Sequence, residues 1–295
     1  MDSIGAYVAY LQYERRCSAY TLSAYRTDLN QFALFLDGLD PADSVVGGEH
    51  IRAWVVSLSE AGLLARSVNR KLSSVRSFYS WLQKVGQTES NPASLLPSLK
   101  AAKRLPEFIP EKELNSLLDA DLLWGEGFAG LRNRAVIVLL YATGIRLSEL
   151  TGLTVSGVNL DEGRIKVLGK RNRERIIPLL PEVVSILYRY KQALHEETLP
   201  DRDHPFFFMT DSGKPLYPVW VNRLTRSVLS GVMALRKKSP HIFRHTFATH
   251  LLNHGADITA IKNLLGHASL GVTQIYTHNT FKTLKAVYKR AHPRA

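Results

Sequence analysis

Apolar residues recur at helical intervals along the first 85 or so positions of the chain. The clearest face has intervals of 4, 3 and 4 and consists of Tyr25, Leu29, Phe32 and Leu36. Three other faces are built on Ile4, Val8 and Leu11, on Ile51, Trp54, Val55 and Leu58, and on Val68, Leu72, Val75, Tyr79 and Leu82. The pattern predicts four helices. Thr21 is the expected N-cap of the second, Gly62 closes the third, and the fourth spans about 67–84.

Residues 86–106 have the composition of a linker. Proline fixes φ and removes a backbone donor, and this stretch combines glycine, proline and basic residues at Gly86, Asn91, Pro92, Pro97, Lys100, Lys103, Arg104 and Pro106. We therefore expect two domains, at residues 1–85 and 107–295, on either side of it.

The second domain is also predicted to be mainly helical. Segments 111–120 and 131–142 have helical patterns, and the second of them is strongly apolar. The clearest strand pattern runs over residues 158–179, where alternating segments are separated by turns at 161–163 and 169–173. The fold class that follows is mainly α, in two domains, with a small antiparallel sheet in the second.

The charge balance indicates a polyanionic partner. The 295 residues include 38 Lys and Arg against 26 Asp and Glu, which gives a formal net charge of +12. Nucleic acid is the first interpretation and an anionic membrane surface the second. A single cysteine, Cys17, fits a reducing compartment. With no pattern of a secretory signal or a membrane-spanning segment, we expect a cytoplasmic protein that does not insert in a membrane.

Six residues, in chain order, combine into one kind of chemistry: Arg146, Lys170, His241, Arg244, His267 and Tyr276. Two arginines can hold the non-bridging oxygens of one phosphate, and a tyrosine can attack it to form a phosphotyrosine ester. A lysine on a turn can protonate the leaving hydroxyl, and histidines can bind phosphate and assist proton transfer. Because the arginines supply the positive charge, this chemistry needs no metal and no other cofactor.

The same residues and their neighbours resemble the tyrosine recombinase (integrase) family, and within it the bacterial Xer recombinases. The similarity lies in the segments Thr143–Leu150, Arg244–His250 and Leu264–Ser269 and extends over nearly the whole chain. It implies a four-helix, SAM-like core-binding domain and a catalytic domain. It also implies that Arg146 and Arg244 bind the scissile phosphate, Lys170 is the general acid, His241 and His267 assist, and Tyr276 forms the 3′-phosphotyrosyl bond. Glu149 is implied to orient its neighbours.

The resemblance also implies a reaction and its partners. Such enzymes exchange strands at a double-stranded DNA recombination site through a four-way Holliday junction, without ATP, and resolve chromosome dimers for segregation at cell division. The implied assembly is a homo-tetramer or a hetero-tetramer with a paired Xer recombinase, with an FtsK-type DNA translocase as a further partner. We expect a C-terminal stripe of Phe281, Leu284 and Tyr288 to pack on a neighbouring protomer, with packing inside its own domain as the alternative.

Candidate DNA contacts outside the catalytic set lie on the fourth helix and in the linker. Small hydroxyl residues beside arginines suit phosphate contact, because they let the backbone approach the strand. The candidates are Arg66, Arg70, Ser73, Ser77, Lys100, Lys103 and Arg104. A solvated helix face and a solubilising linker are the alternative interpretations.

Four other functions compete with recombination at a chromosomal site. A type IB topoisomerase or a mobile-element integrase would share the active site, and a non-enzymatic architectural DNA-binding protein would explain the charge. A zinc hydrolase built on His241, His245, His250 and His254 is the fourth, although the sequence has no H-E-x-x-H motif.

Overall fold

The structure is a computed structural model. The residues that it describes are 3–38, 46–100, 107–169, 174–197, 204–231, 236–266, 286–288 and 290–294. The chain divides into two compact units, Met1–Arg104 and Leu105–Ala295, and each is considered separately.

The first unit is built from four helices, as the hydrophobic pattern predicts. They are α1 (Ser3–Tyr13), α2 (Ala19–Asp37), α3 (Gly48–Glu60) and α4 (Ala65–Lys84). Their apolar faces meet in one core, to which α4 contributes four residues of its predicted stripe, Leu72, Val75, Tyr79 and Leu82. The fifth, Val68, is also buried, and an aromatic group around Tyr7 and Phe78 lies between α1 and α4.

The ends of these helices agree with the sequence prediction at one position and differ at another. Gly62 has φ of 81°, one residue beyond the Ala61 C-cap of α3, as expected. The prediction that Thr21 caps α2 is wrong, because the helix begins two residues earlier. Ser18 is the N-cap, and its hydroxyl oxygen accepts a hydrogen bond from the Thr21 backbone N–H at 3.3 Å.

Residues 91–99, in the segment with linker composition, make specific contacts with α4. The Arg76 guanidinium donates to the carbonyl oxygens of Ala93 and Leu96 at 3.1 and 2.8 Å. The Asn69 side chain exchanges two hydrogen bonds with the backbone of Leu99, and Ala93 is fully buried. This part of the chain therefore folds with the first unit. The domain boundaries taken from composition stay a prediction.

The second unit contains the remaining helices and a small sheet. The helices are α5 (Glu111–Asp119), α6 (Gly127–Thr143), α7 (Leu147–Thr151), α8 (Pro181–Glu196), α9 (Pro218–Val228), α10 (His241–Asn253) and α11 (Ile258–Leu265). The strands are β1 (Val158–Asn159), β2 (Arg164–Leu168) and β3 (Glu174–Pro178). They form an antiparallel sheet in the order β1-β2-β3, with Ile165 opposite Ile177 and Leu168 opposite Glu174. The predicted fold class, mainly α with a small antiparallel sheet, is confirmed.

Helix α6 forms the centre of the second core. Every residue from Ala135 to Thr143 is buried, because α8 and α10 pack against it. The sheet packs through one face only: in β2, Ile165 and Val167 point inward while Lys166 and Leu168 are exposed. The core therefore fixes both α10 and the start of α7, which follows α6 after a tight turn.

The described residues near the C-terminus, 286–288 and 290–294, pack within their own unit. Tyr288 is fully buried, its hydroxyl donates to the Ala142 carbonyl at 2.6 Å, and its ring lies against Phe247 and His292. For this residue, the hypothesis of contact with a neighbouring protomer is wrong. The other two members of the stripe, Phe281 and Leu284, lie outside the described residues.

Among the helices that the structure describes, none is long and apolar enough to cross a membrane.

Candidate active site

Arg146 is held at the N-terminal end of α7 by a turn and a carboxylate. Helix α6 ends at Gly144, whose φ of 60° reverses the chain, and Arg146 is the N-cap of the next helix. The Glu149 carboxylate accepts from the Arg146 backbone N–H at 2.7 Å and from its Nη1 at 2.8 Å. The Arg146 side chain is 22% exposed, so it lies at the edge of the core and still reaches solvent.

Arg244 lies beside this turn on α10. It is the fourth residue of that helix and is buried, and its guanidinium donates to the Gly144 carbonyl at 2.6 Å and to the Leu265 carbonyl at 2.7 Å. Burial, together with the charge of Arg146, lowers the pKa of Arg244 to about 10, which leaves it protonated near neutral pH.

The C-terminal end of α11 brings three arginines together. The helix ends at Gly266, with φ of 63°, and the last carbonyl oxygens of a helix have no partner within it. Three consecutive carbonyls each accept from a different arginine: Leu264 from Arg175 at 3.0 Å, Leu265 from Arg244 at 2.7 Å and Gly266 from Arg146 at 3.3 Å. The negative end of the helix dipole favours this cluster of cations.

Arg175 is a member of this cluster that sequence reasoning missed. It lies on β3 with its side chain 5% exposed, and it donates to both carboxylate oxygens of Glu149, at 2.7 and 2.8 Å. The alternation of inward and outward positions along β3 could have indicated its burial, because Glu174 is exposed and Arg175 occupies the next, inward position. A charged residue at an inward position needs a buried partner.

Glu149 is the carboxylate shared by two of the arginines. Burial alone would raise its pKa, but hydrogen bonds and charge from Arg175, with two hydrogen bonds from Arg146, lower the pKa to about 2. Three guanidinium charges against this one carboxylate leave an excess of positive charge at the end of α11. Such a site is suited to an anion.

His241 begins α10, one turn before Arg244, and is exposed. Partial desolvation of its ring by neighbouring groups, with the charges of His245, Arg244 and Arg146, lowers the pKa of His241 below the ordinary 6.5. It is therefore mostly neutral near pH 7 and able to accept a proton. The structure thus brings Arg146, His241 and Arg244 together at one place.

The other three predicted catalytic residues, Lys170, His267 and Tyr276, lie outside the described residues. Described residues adjoin two of them in the sequence: Gly169 and Glu174 stand on either side of residues 170–173, which include Lys170, and Gly266 directly precedes His267. Their roles stay predictions.

The predicted DNA-contact residues of the first unit fall into different environments. Arg66, Ser73 and Lys100 are exposed, whereas the half-buried Ser77 accepts a hydrogen bond at 2.7 Å from the hydroxyl of Tyr7. Lys103 and Arg104 are outside the described residues.

Arg70 is exposed, but its guanidinium pairs with a buried carboxylate that the sequence pattern did not predict. Asp28 on α2 is fully buried and binds the Arg70 guanidinium, the Lys71 ammonium at 3.0 Å and the Ser74 hydroxyl at 2.8 Å. These contacts fix α4 against α2.

The four histidines of the zinc alternative have separate environments. His250 is buried and bonds the Tyr141 hydroxyl at 3.0 Å and the Ile109 carbonyl at 2.9 Å, whereas His254 pairs with Glu111 at 3.0 Å. Over the residues that the structure describes, no group of three or more His, Cys, Asp or Glu side chains could hold a metal ion.

Comparison with known families identifies the class of the protein. Residues 107–283 match the phage integrase family, and residues 4–86 match the phage integrase N-terminal SAM-like domain. The two matches cover most of the chain. The chain belongs to the phage integrase family.

Its curated relatives place it more closely within that family. It is 38% identical to tyrosine recombinase XerC of Chlorobaculum parvum, over 98% of this chain and 94% of the relative. It is 38% identical to XerC of Oceanobacillus iheyensis, over 99% and 96%, and 35% identical to tyrosine recombinase XerD of Chlorobaculum tepidum, over 99% and 96%.

Solved structures share the fold. The Tn1549 transposon integrase in complex with transposon right end DNA has a TM-score of 0.75 at 22% identity, over 98% of this chain and 99% of that one. The XerH site-specific recombinase bound to a palindromic difH substrate has a TM-score of 0.72 at 18% identity, over 95% and 79%.

Proposed function

We propose that this chain is a tyrosine site-specific recombinase that cuts and rejoins DNA through a 3′-phosphotyrosine intermediate. The observation that carries the proposal is the placement of Arg146 and Arg244 on the adjacent carbonyls of Gly266 and Leu265. Two guanidinium groups thus bind successive carbonyls at one helix end, where positive charge is in excess and His267 follows directly in the sequence. This is the arrangement that one phosphodiester group requires.

The two arginines act on the charge that develops during the reaction. A phosphodiester under attack gathers negative charge on its non-bridging oxygens, and fixed donors bind that state more strongly than the ground state. Loss of one such donor costs about 3–4 kcal/mol of transition-state stabilisation. Because both guanidiniums are fixed by backbone carbonyls, they need little rearrangement when the phosphate arrives.

The proposed cleavage step is a transesterification, in which one phosphorus–oxygen bond forms as another breaks. The phenol oxygen of Tyr276 attacks the scissile phosphorus, and the bond from phosphorus to the 5′ oxygen breaks. The leaving oxygen takes a proton from the Lys170 ammonium, and the phenol proton passes to a histidine. Neutral His241 suits this step, with His267 as its assistant. One phosphate ester replaces another, so the bond energy is kept and no ATP is required.

Strand exchange then requires two DNA sites and several protomers. Four protomers, identical or paired with a second Xer recombinase, exchange one pair of strands, form a four-way junction and exchange the other pair. The proposed cellular task is resolution of chromosome dimers at cell division, in the cytoplasm, with a DNA translocase of the FtsK type as regulator.

The experiment is recombination of a plasmid with two copies of the host's chromosome-dimer resolution site. We expect the full chain, with its paired recombinase added where one is needed, to resolve the plasmid into two circles. Nicked DNA of the same site should trap a covalent protein–DNA adduct. Tyr276→Phe should abolish both products, since it lacks the attacking oxygen. Tyr188→Phe is the matched control, because this tyrosine of α8 is largely exposed and has no proposed role.

The outcomes separate the competing functions. Specific binding without any adduct would support an architectural protein and overturn the proposal. An adduct on mobile-element ends but not on the chromosomal site would support an integrase and overturn the cellular task. Cleavage that persists in Tyr276→Phe would overturn the mechanism.

A further inference from the structure

Arg175 connects three parts of the second unit at one point. Its Nη1 and Nη2 bind the two oxygens of Glu149, and its Nε donates to the Leu264 carbonyl at 3.0 Å. A Cβ on Gly266 would lie 3.1 Å from Arg175 Cδ, so the side chain also packs on the turn that ends α11. The strand β3, the start of α7 and the end of α11 therefore meet on a single guanidinium.

One partner of Arg175, Glu149, is shared with a proposed phosphate-binding residue, and the other, the Leu264 carbonyl, directly precedes the carbonyls that bind both of those residues. The oxygens of Glu149 that it binds also accept the backbone N–H and Nη1 of Arg146, at 2.7 and 2.8 Å. Leu264, which accepts from Arg175, directly precedes Leu265 and Gly266, which accept from Arg244 and Arg146. A displacement of Arg175 would thus move the carboxylate of Arg146 and the carbonyls of both arginines.

We propose that Arg175 is a positioning residue that sets the geometry of Arg146 and Arg244 through Glu149 and the end of α11. It acts on these residues and not on the DNA. The inference rests on the proposed function, since it assumes that the two arginines bind the scissile phosphate. It adds a residue of β3 to those on which the cleavage rate depends.

A contribution to folding stability does not by itself explain the buried ion pair of Arg175 and Glu149. The desolvation of two charges offsets most of their attraction, and buried ion pairs replaced together by apolar residues often leave stability unchanged or increased. Removal of one partner leaves the other charge buried and is destabilising. The double variant Arg175→Met with Glu149→Met therefore separates folding from positioning, because it removes both charges at once.

The test compares these variants in the full chain on nicked DNA of the recombination site. The measurements are the dissociation constant for DNA, the thermal midpoint, and the single-turnover rate of covalent adduct formation at saturating DNA. We expect the Met–Met double variant to have a higher thermal midpoint than either single Met variant, to keep near-normal DNA affinity, and to form adduct about 100-fold more slowly than wild type. Arg175→Lys keeps the positive charge but cannot make two parallel hydrogen bonds to the carboxylate, so it should form adduct about 10-fold more slowly than wild type.

A second substrate shows whether adduct formation is slower because Arg146 and Arg244 are displaced. In a methylphosphonate, a methyl group replaces one non-bridging oxygen and the scissile group is neutral, so cationic stabilisation matters less. The ratio of the wild-type to the variant rate of adduct formation should therefore be about 10-fold or more smaller on methylphosphonate than on phosphate. This applies to Arg175→Lys, to the double variant and to Arg244→Ala. A defect of folding would be equal on both substrates.

A control variant and three further outcomes show which results would overturn the inference and which would overturn the proposed function. Arg134→Met is matched, because Arg134 is a partly buried arginine of α6 that pairs with Asp121 at 2.8 Å and has no role in the site; it should behave like wild type. Adduct formation by the double variant within threefold of wild type would overturn the inference, as would equal defects on the two substrates. If wild type forms no adduct while binding DNA, the proposed function itself fails, and this inference fails with it.

Discussion

Glu149 and Arg175 lie 26 positions apart and bind each other through two parallel hydrogen bonds, Nη1 to Oε1 at 2.7 Å and Nη2 to Oε2 at 2.8 Å. Both side chains are almost fully buried, so solvent screens their attraction little. Because Arg146 binds the same carboxylate, the ionised state of Glu149 supports both the fold and the proposed site. Its protonation therefore has consequences for stability.

The first prediction concerns acid. In the folded chain, neighbouring hydrogen bonds and charge bring the pKa of Glu149 from its ordinary 4.5 to about 2. A carboxyl with a lowered pKa adds stability that is present above about pH 4.5 and is lost as the pH falls toward 2. The full contribution is about 3 kcal/mol, of which about 2 kcal/mol is lost by pH 3. Urea unfolding from pH 6 to pH 3 should show this loss.

Glu149→Gln supplies the comparison, because an amide of the same shape does not titrate. It should be less stable than wild type at pH 6, and the difference should narrow toward pH 3. Glu162→Gln is the control, since this carboxylate is 56% exposed in an ion pair with Arg164; it should follow the wild-type curve. Parallel curves for wild type and Glu149→Gln would contradict the role assigned to the buried carboxylate.

The second prediction concerns the turn between α6 and α7. Gly144 has φ of 60°, and a Cβ there would lie 2.6 Å from Cδ1 of Phe247 and 2.8 Å from Cδ2 of Leu265. Gly144→Ala should therefore cost about 1–2 kcal/mol for the left-handed backbone, and a further 1–3 kcal/mol or so for the clash. Because the Gly144 carbonyl binds Arg244, adduct formation should also slow. Chemical denaturation and the nicked-DNA assay measure the two effects.

Gly255→Ala isolates the backbone contribution to this change. Gly255 also has positive φ, 78°, but a Cβ there would meet nothing within 4 Å. Its substitution should cost only the left-handed backbone, about 1–2 kcal/mol, and leave adduct formation unchanged. Equal losses of stability in the two variants would show that the packing around Gly144 adjusts without cost.

The parts of the fold that the sequence predicts well are those set by local pattern. The apolar stripe of α4 and the alternation of β2 arise from neighbours within a few positions, and these elements form where expected. Arg146 and Arg244 are assigned to one site by the combination of six residue types and by the resemblance to the tyrosine recombinases, and not by local pattern, since 98 positions separate them.

Contacts between distant positions could not be predicted in the same way. A strand arginine such as Arg175 is compatible with an exposed position until its partner, on a separate helix, is known. Asp28 sits beside the apolar Leu29 on α2, and its burial is favourable only because Arg70, Lys71 and Ser74 reach it from α4. Tyr288 shows the same limit, because its helical pattern does not say which molecule covers it.

The last prediction concerns DNA binding by α4, where Arg66 and Arg70 differ. Arg66 is exposed, whereas the Arg70 guanidinium binds the buried Asp28. If Arg66 contacts a phosphate, Arg66→Gln should weaken binding uniformly across DNA sequences and lower the slope of log affinity against log salt by about 0.9. Titrations by fluorescence anisotropy from 50 to roughly 300 mM salt measure this slope. Arg189→Gln, an exposed arginine of α8, controls for net charge. Equal slopes for the two variants would place Arg66 away from the DNA.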